Sequence, residues 1–311
     1  MKIEYFGKDN CINETNLFNK KIENIMIKTK PTEKVSVRKT RKIRDMGKGI
    51  FPFQSENMDN KEVTFSKHEK KVKIRITSNF KSDNLYLFIH GGGWTFGRPK
   101  YEDMWCDFIS KKVKCDVGAV EYRLAPEYPW PNCHDDCFLA CLWSLEQKYK
   151  KIVIGGESAG AHLAAGVLLN LDKVNLLQKI KGAVFTYGLF DLRMTPSTTN
   201  WGAKRLILST PTIKWFINNL KIPKKELINP LVSPVFSELK NMPPALFQCG
   251  TLDPLRDDTA FMASRWSMSG AKTHLIWYKN GIHAFDKFDL KISKICKQKT
   301  ILFLKKIFLN S

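Results

Sequence analysis

The sequence predicts an α/β protein, a mostly parallel sheet with helices on both faces and a helical cap above it. Two observations carry this. Short apolar runs alternate with helical segments along most of the chain, and the last segment places its apolar residues on one face at the 3.6-residue period. The chain has 311 residues, 43% hydrophobic and 26% charged, enough apolar material to offset its conformational entropy in one large or two modest domains. Collagenous and wholly disordered classes are excluded.

Residues 1–60 are polar, basic and weakly periodic, which suits an N-terminal arm with short cap helices resting on something larger. Residues 61–311 form the main domain in this reading. From 62 to 77, β-branched residues alternate with Lys and Arg around a charged break from His68 to Lys71, the pattern of a hairpin at a sheet edge. Buried strands are expected at 85–89, 117–120, 152–154, 183–185, 245–247 and 274–277, and helices near 101–111, 135–148, 159–170 and 257–269. The closing helix puts Ile292, Ile295, Cys296, Leu302, Phe303 and Ile307 toward the sheet. About sixty residues separate the strands near Tyr187 and Ala245, too many for an ordinary connection. A cap insertion at about 190–243 is expected there, helical between Trp201 and Leu220.

Fifty-one Lys and Arg against 30 Asp and Glu give a net charge of +21, a field that attracts nucleic acid, anionic lipid or acidic substrates. One basic run comprises Lys34, Arg38, Lys39, Arg41, Lys42 and Arg44, and another the tail from Lys287 to Lys306. Both read as solvated faces, since neither interleaves aromatics and no nucleic-acid-binding motif accompanies them. Specific nucleic-acid binding is therefore not expected, weak peripheral membrane contact stays open, and so does a homodimer. Eight scattered cysteines do not form a disulfide framework. The start of the chain lacks an apolar leader core and no run approaches the ~20 apolar residues of a membrane span, so a cytoplasmic location is expected.

The strongest chemical signal is Gly156-Glu157-Ser158-Ala159-Gly160, set between an apolar strand and an Ala/Leu-rich helix. In such an elbow the serine occupies a tight strand-to-helix turn whose flanking positions tolerate no side chain. Ser158 would project its hydroxyl into open space, with the Ala159 N–H at the helix start. Next is His90-Gly91-Gly92-Gly93-Trp94 directly after a strand. Bare backbone of this kind suits an oxyanion hole, with Gly92, Gly93 and Ala159 as donors; His90 reads as a brace. A serine nucleophile needs a base and a carboxylate. His283 lies in a loop after the last strand run, whereas His274 is committed to the strand. Asp253 follows the strand at 245–247, while Asp257 and Asp258 are accounted for by their place at a helix N-terminus.

These segments, together with Tyr122-Arg123-Leu124-Ala125-Pro126-Glu127, Asp253-Pro254-Leu255-Arg256-Asp257 and His283-Ala284-Phe285, resemble the hormone-sensitive-lipase-like branch of the α/β-hydrolases, in that family's order and over roughly residues 80 to 290. The resemblance implies an eight-stranded, mostly parallel sheet, a Ser-Asp-His triad, a glycine-loop oxyanion hole, a cap from N-terminal and inserted helices, and hydrolysis of carboxylic esters with short to medium acyl chains. Glu157 stands where the family often has Asp, and Ala161-His162 where Gly-Asn is common, both of which affect the pocket. Trp94, Phe96, Tyr187 and Phe190 are candidates to line an apolar substrate pocket.

Cys133, Cys137 and Cys141 repeat every fourth residue beside His134, but thiols along one helix face cannot easily surround an ion, and they read as small buried hydrophobes. Asp135 and Asp136 are expected to brace that helix near Arg123. The chemistry calls for no metal or organic cofactor, and the expected partner is a small-molecule ester. An amidase using the same triad, arylformamidase-like or a deacetylase, and a non-catalytic small-molecule receptor on the same scaffold are the alternatives.

Overall fold

The structure, a computed structural model, describes residues 1–7, 9–52, 56–67 and 69–309. Strand β1 (Lys2–Phe6) precedes helices α1 (Asp9–Lys28) and α2 (Val37–Asp45). After the hairpin β2 (Lys61–Lys67) and β3 (Lys70–Thr77), strands and helices alternate: β4 (Asn84–Ile89), α3 (Asp103–Val113), β5 (Asp116–Glu121), α4 (Asn132–Glu146), β6 (Lys151–Glu157), α5 (Ala159–Lys173) and β7 (Ile180–Thr186). The long excursion carries α6 (Pro196–Asn200) and α7 (Thr210–Asn219). The chain ends with β8 (Ala245–Leu252), α8 (Arg256–Met268), β9 (Thr273–Ile282) and α9 (Lys291–Leu309).

The sheet order is β1-β9-β8-β7-β6-β4-β5-β3-β2, with β2 and β3 antiparallel and all other pairs parallel except β3 with β5. Helices cover both faces, so the central strands are apolar on both sides: Leu85 through Ile89 and Ile152 through Ile154 are all buried. The hairpin forms at the predicted edge, although its turn residue His68 lies outside the described residues. Among the described residues the sheet has nine strands where eight were expected. The ninth, β1, comes from the arm and runs parallel to β9, where Glu4 accepts from Lys299 of α9 at 2.8 Å and sits 3.1 Å from His274.

Two other expectations need correction. Helix α9 turns Ile292, Ser293, Cys296, Ile301, Leu304 and Phe308 inward; Ile295, Phe303 and Ile307 flank this face, and Leu302 is 53% exposed. The helix is rotated because the polar Ser293 and Thr300 find buried partners in the Phe285 carbonyl and the Gln248 amide. Within the stretch from Trp201 to Leu220, where a helix was expected throughout, the chain is helical only from Thr210. Ser209 caps α7 by accepting from the Thr212 N–H at 3.3 Å, Pro211 fills its first turn, and positive φ at Gly202 and Ile207 keeps the preceding stretch irregular.

Candidate active site

Ser158 stands between β6 and α5 with φ +52° and ψ −121°, a strained conformation for a residue with a side chain. The crossing behind it is tight: a Cβ on Gly160 would lie 2.0 Å from the Ile89 carbonyl oxygen of β4. That contact explains the second glycine of the motif and fixes the elbow against the neighbouring strand.

His283 follows β9, and its Nε2 lies 3.0 Å from Ser158 Oγ. Its Nδ1 lies 2.9 Å from Asp253 Oδ2, and the other Asp253 oxygen accepts the Leu255 N–H at 2.9 Å. Asp253 is fully buried and acts as acceptor on both oxygens, so Nδ1 carries the imidazole proton and Nε2 faces the serine hydroxyl as an acceptor. Asp257 and Asp258 point elsewhere. Asp257 accepts the Ser197 N–H, and Asp258 accepts the N–H groups of Phe190 and Asp191 and the Thr195 hydroxyl, so both tie α8 to the inserted segment.

The glycine loop turns back on itself, with the Gly92 carbonyl accepting from Phe96 N–H at 2.9 Å. Gly92 has φ +117°, and a Cβ there would come within 2.2 Å of the Phe96 carbonyl oxygen. Only glycine fits. Gly92, Gly93, Ser158, Ala159 and His283 border one cavity.

The loop is braced from below. His90 donates from Nδ1 to the Gly91 carbonyl at 2.8 Å and stacks on Tyr122, whose hydroxyl donates to the His90 carbonyl. Burial lowers the His90 pKa to about 4, so it stays a neutral brace. Arg123 grips Asp136 through two nitrogens at 2.8 and 2.7 Å, the bracing role expected of that aspartate, while Asp135 pairs with Lys70. Cys133, Cys137 and Cys141 are wholly buried beside them in the apolar core. His162 takes the place where Asn is common: the Trp94 indole N–H donates to its Nδ1 at 3.2 Å, which leaves Nε2–H to donate to the Val232 carbonyl at 2.8 Å. Burial lowers its pKa to about 4.

Of the four aromatic residues predicted to line the pocket, Trp94 and Tyr187 border the cavity and Phe96 and Phe190 do not. Phe96 packs against Trp215 and Phe216, and Phe190 against Phe185 and Phe247, so both are core. The apolar wall comes instead from Leu189, Leu208, Ile213 and Phe216 of the inserted segment and from Phe51 of the arm.

Sequence reasoning also missed a buried charged floor. Lys287 reads as part of a solvated tail, yet its ammonium bridges Glu102 at 2.6 Å and Glu157 at 2.7 Å inside the cavity wall. Burial opposes the lysine's charge, but the carboxylates of Glu102, Glu157 and Asp286 outweigh it and hold the ammonium charged. The carboxyl groups outnumber the lysine. Burial pushes Glu157 up to about 8 against the pull of Lys287, with Glu102 and Asp286 adding to the rise. The Tyr187 hydroxyl donates to Asp286 at 2.5 Å, and its ring meets the edge of His283 at 4.7 Å. No local signal marks these residues, because Glu102 and Lys287 meet only in the folded chain.

A family model described as the alpha/beta hydrolase fold matches residues 86–287. The chain belongs to the α/β-hydrolase fold family. An arylesterase of Saccharolobus solfataricus is 31% identical over 241 residues, 73% of this chain and 77% of that protein. The carboxylesterase NlhH of Mycobacterium tuberculosis is 28% identical over 229 residues, 68% of this chain and 69% of its own. A thermostable esterase of Pseudomonas putida ECU1011 superposes with a TM-score of 0.86 at 22% identity, covering 96% of this chain and 98% of that one, which shows a shared fold. Among the described residues of this α/β-hydrolase, no helix is long and apolar enough to cross a membrane.

Proposed function

We propose that this α/β-hydrolase cleaves carboxylic esters with short to medium acyl chains through an acyl-enzyme on Ser158. The observation that carries the reading is the unbroken hydrogen-bonded series from Ser158 through His283 to the buried Asp253, at the edge of a cavity floored by the glycine loop. His283 takes the Ser158 proton as the hydroxyl oxygen attacks the ester carbonyl carbon. The N–H groups of Gly92, Gly93 and Ala159 receive the charge that develops on the carbonyl oxygen. The imidazolium, held by Asp253, returns its proton to the departing alcohol, and water activated by the same ring then releases the acid. The esterase names of the Saccharolobus and Mycobacterium relatives support the substrate class.

The arm at 1–60 and the insertion at about 190–243 form the cap in this proposal, since both contribute walls to the cavity. A panel of p-nitrophenyl esters from acetate to palmitate, run beside formyl and acetyl amides, tests the activity; turnover is expected to peak among the shorter esters and to vanish in Ser158→Ala. A fluorophosphonate probe should label the folded chain at Ser158. Absence of both turnover and labelling in folded protein would favour the receptor alternative, and faster amide cleavage the amidase.

A further inference from the structure

The cavity beside Ser158 is bordered by two cations, Lys287 and Arg44. They differ in one respect. Lys287 is held between the carboxyl groups of Glu102 and Glu157, whereas Arg44, near the end of α2, has no carboxylate partner among the described residues. The nearby acids are already committed: Glu127 takes both terminal nitrogens of Arg41 at 2.9 Å, Asp45 accepts from the Tyr101 hydroxyl and faces Arg98 at 3.6 Å, and Glu33 accepts from Thr212.

The Arg44 guanidinium lies over the Phe96 ring at 4.6 Å and near the Phe51 ring at 5.5 Å. Aromatic faces hold the flat surface of a guanidinium and leave its N–H edge free to meet an acceptor. Burial lowers the Arg44 pKa to about 10, which still leaves it charged at neutral pH. Arg44 is half-buried and has no counterion among the described residues, and a planar anion gripped by two parallel N–H bonds is the partner a guanidinium fits best. The net charge of +21 adds long-range attraction for an anion.

We propose that Arg44 is a substrate-binding residue for a carboxylate carried on the ester at the end remote from the scissile carbonyl, so that the enzyme favours anionic esters over neutral ones of the same size. The proposal rests on the esterase reading for its substrate and on the unpaired guanidinium for its charge preference.

Two matched pairs test it, 4-acetoxybenzoate against 4-methylphenyl acetate for the alcohol side, and the 4-nitrophenyl monoester of adipate against 4-nitrophenyl hexanoate for the acyl side. In at least one pair the anionic member should have the higher kcat/KM, and Arg44→Met should lower the anionic-to-neutral ratio by about tenfold, the worth of one charge-assisted bond. Arg44→Lys keeps the charge without the fork and should lie between, which separates lost recognition from disturbed packing. Added salt should raise KM for the anionic member more than for the neutral one. A ratio unmoved in both variants overturns the proposal while leaving the esterase reading intact. If no ester turns over, calorimetry on Ser158→Ala decides independently: tighter binding of 4-acetoxybenzoate than of 4-methylphenyl acetate, lost when Arg44→Met is added, supports the anion site, and equal binding overturns it.

Discussion

At the scale of single residues, the site depends on groups whose replacements fail in different ways. Ser158→Ala removes the nucleophile and should cut ester kcat by at least about 10³-fold while leaving the fold unchanged by circular dichroism. Gly92→Ala is a different test, since the hydroxyl, imidazole and carboxylate all remain. The new methyl must displace the Phe96 carbonyl from 2.2 Å at a φ of +117°, so the loop moves and the oxyanion donors with it. A loss of about 10²–10³-fold in kcat, with fluorophosphonate labelling slowed rather than abolished, is expected. His162 offers a prediction in pH. Its folded pKa is depressed to about 4, so its contribution to stability is fully present above the unfolded value near 6.5 and is lost as pH falls through about 4. His90 follows the same sign. Thermal melts from pH 7.5 down to 4 should therefore show a falling Tm, and His162→Asn, which can still accept from Trp94 and donate to Val232, should flatten the slope.

At the scale of elements, the Lys287 floor joins three parts of the chain: the turn after β9 that carries His283, the strand β6 that ends on Glu157 just before Ser158, and the turn before α3 that carries Glu102. Removing one member of a buried pair leaves the other charge uncompensated, at a cost of about 3–5 kcal/mol. Lys287→Met should therefore be strongly destabilised in urea, and adding Glu102→Gln and Glu157→Gln should recover much of the loss. A Lys287→Met chain as stable as the parent would mean that the floor holds nothing together. The same floor marks where the sequence stops being legible. The strand runs, the elbow and the glycine loop were readable, because each depends on residues adjacent in the chain and on a period of two or 3.6; Asp253 and His283 were expected from their places after strands, and the fold sets them in line with Ser158. Lys287 and Arg41 were not. Their neighbours in sequence are exposed lysines, and only the fold brings Lys287 to Glu102, or Arg41 to Glu127 and the Ala125 carbonyl. Phe96 and Phe190 show the converse, being near the right motifs with side chains turned into the core.

At the scale of the whole molecule, the arm is integral to the sheet and to the cavity. Strand β1 extends the sheet past β9, α1 packs on β9 and α9, and α2 carries Arg44 into the cavity wall. The arm then meets the inserted segment across the cavity mouth: Arg205 donates to the Thr29 carbonyl at 2.8 Å, and Thr212 donates to Glu33 at 2.9 Å. These contacts are few and partly exposed, so each contributes only about 0.5–1.5 kcal/mol to holding the two walls together. Loosening them should act on the walls and not on the triad. The double variant Arg205→Ala/Thr212→Val is expected to keep its urea midpoint within a small shift, to be cleaved several-fold faster by protease between residues 28 and 36, and to raise KM for the longer p-nitrophenyl esters. Labelling of Ser158 by a small fluorophosphonate, which needs only the elbow and His283, should proceed at the parental rate. If labelling slowed in step with ester turnover, the arm would be positioning the nucleophile itself, and the division between a rigid sheet bearing the chemistry and a cap setting the substrate would not hold.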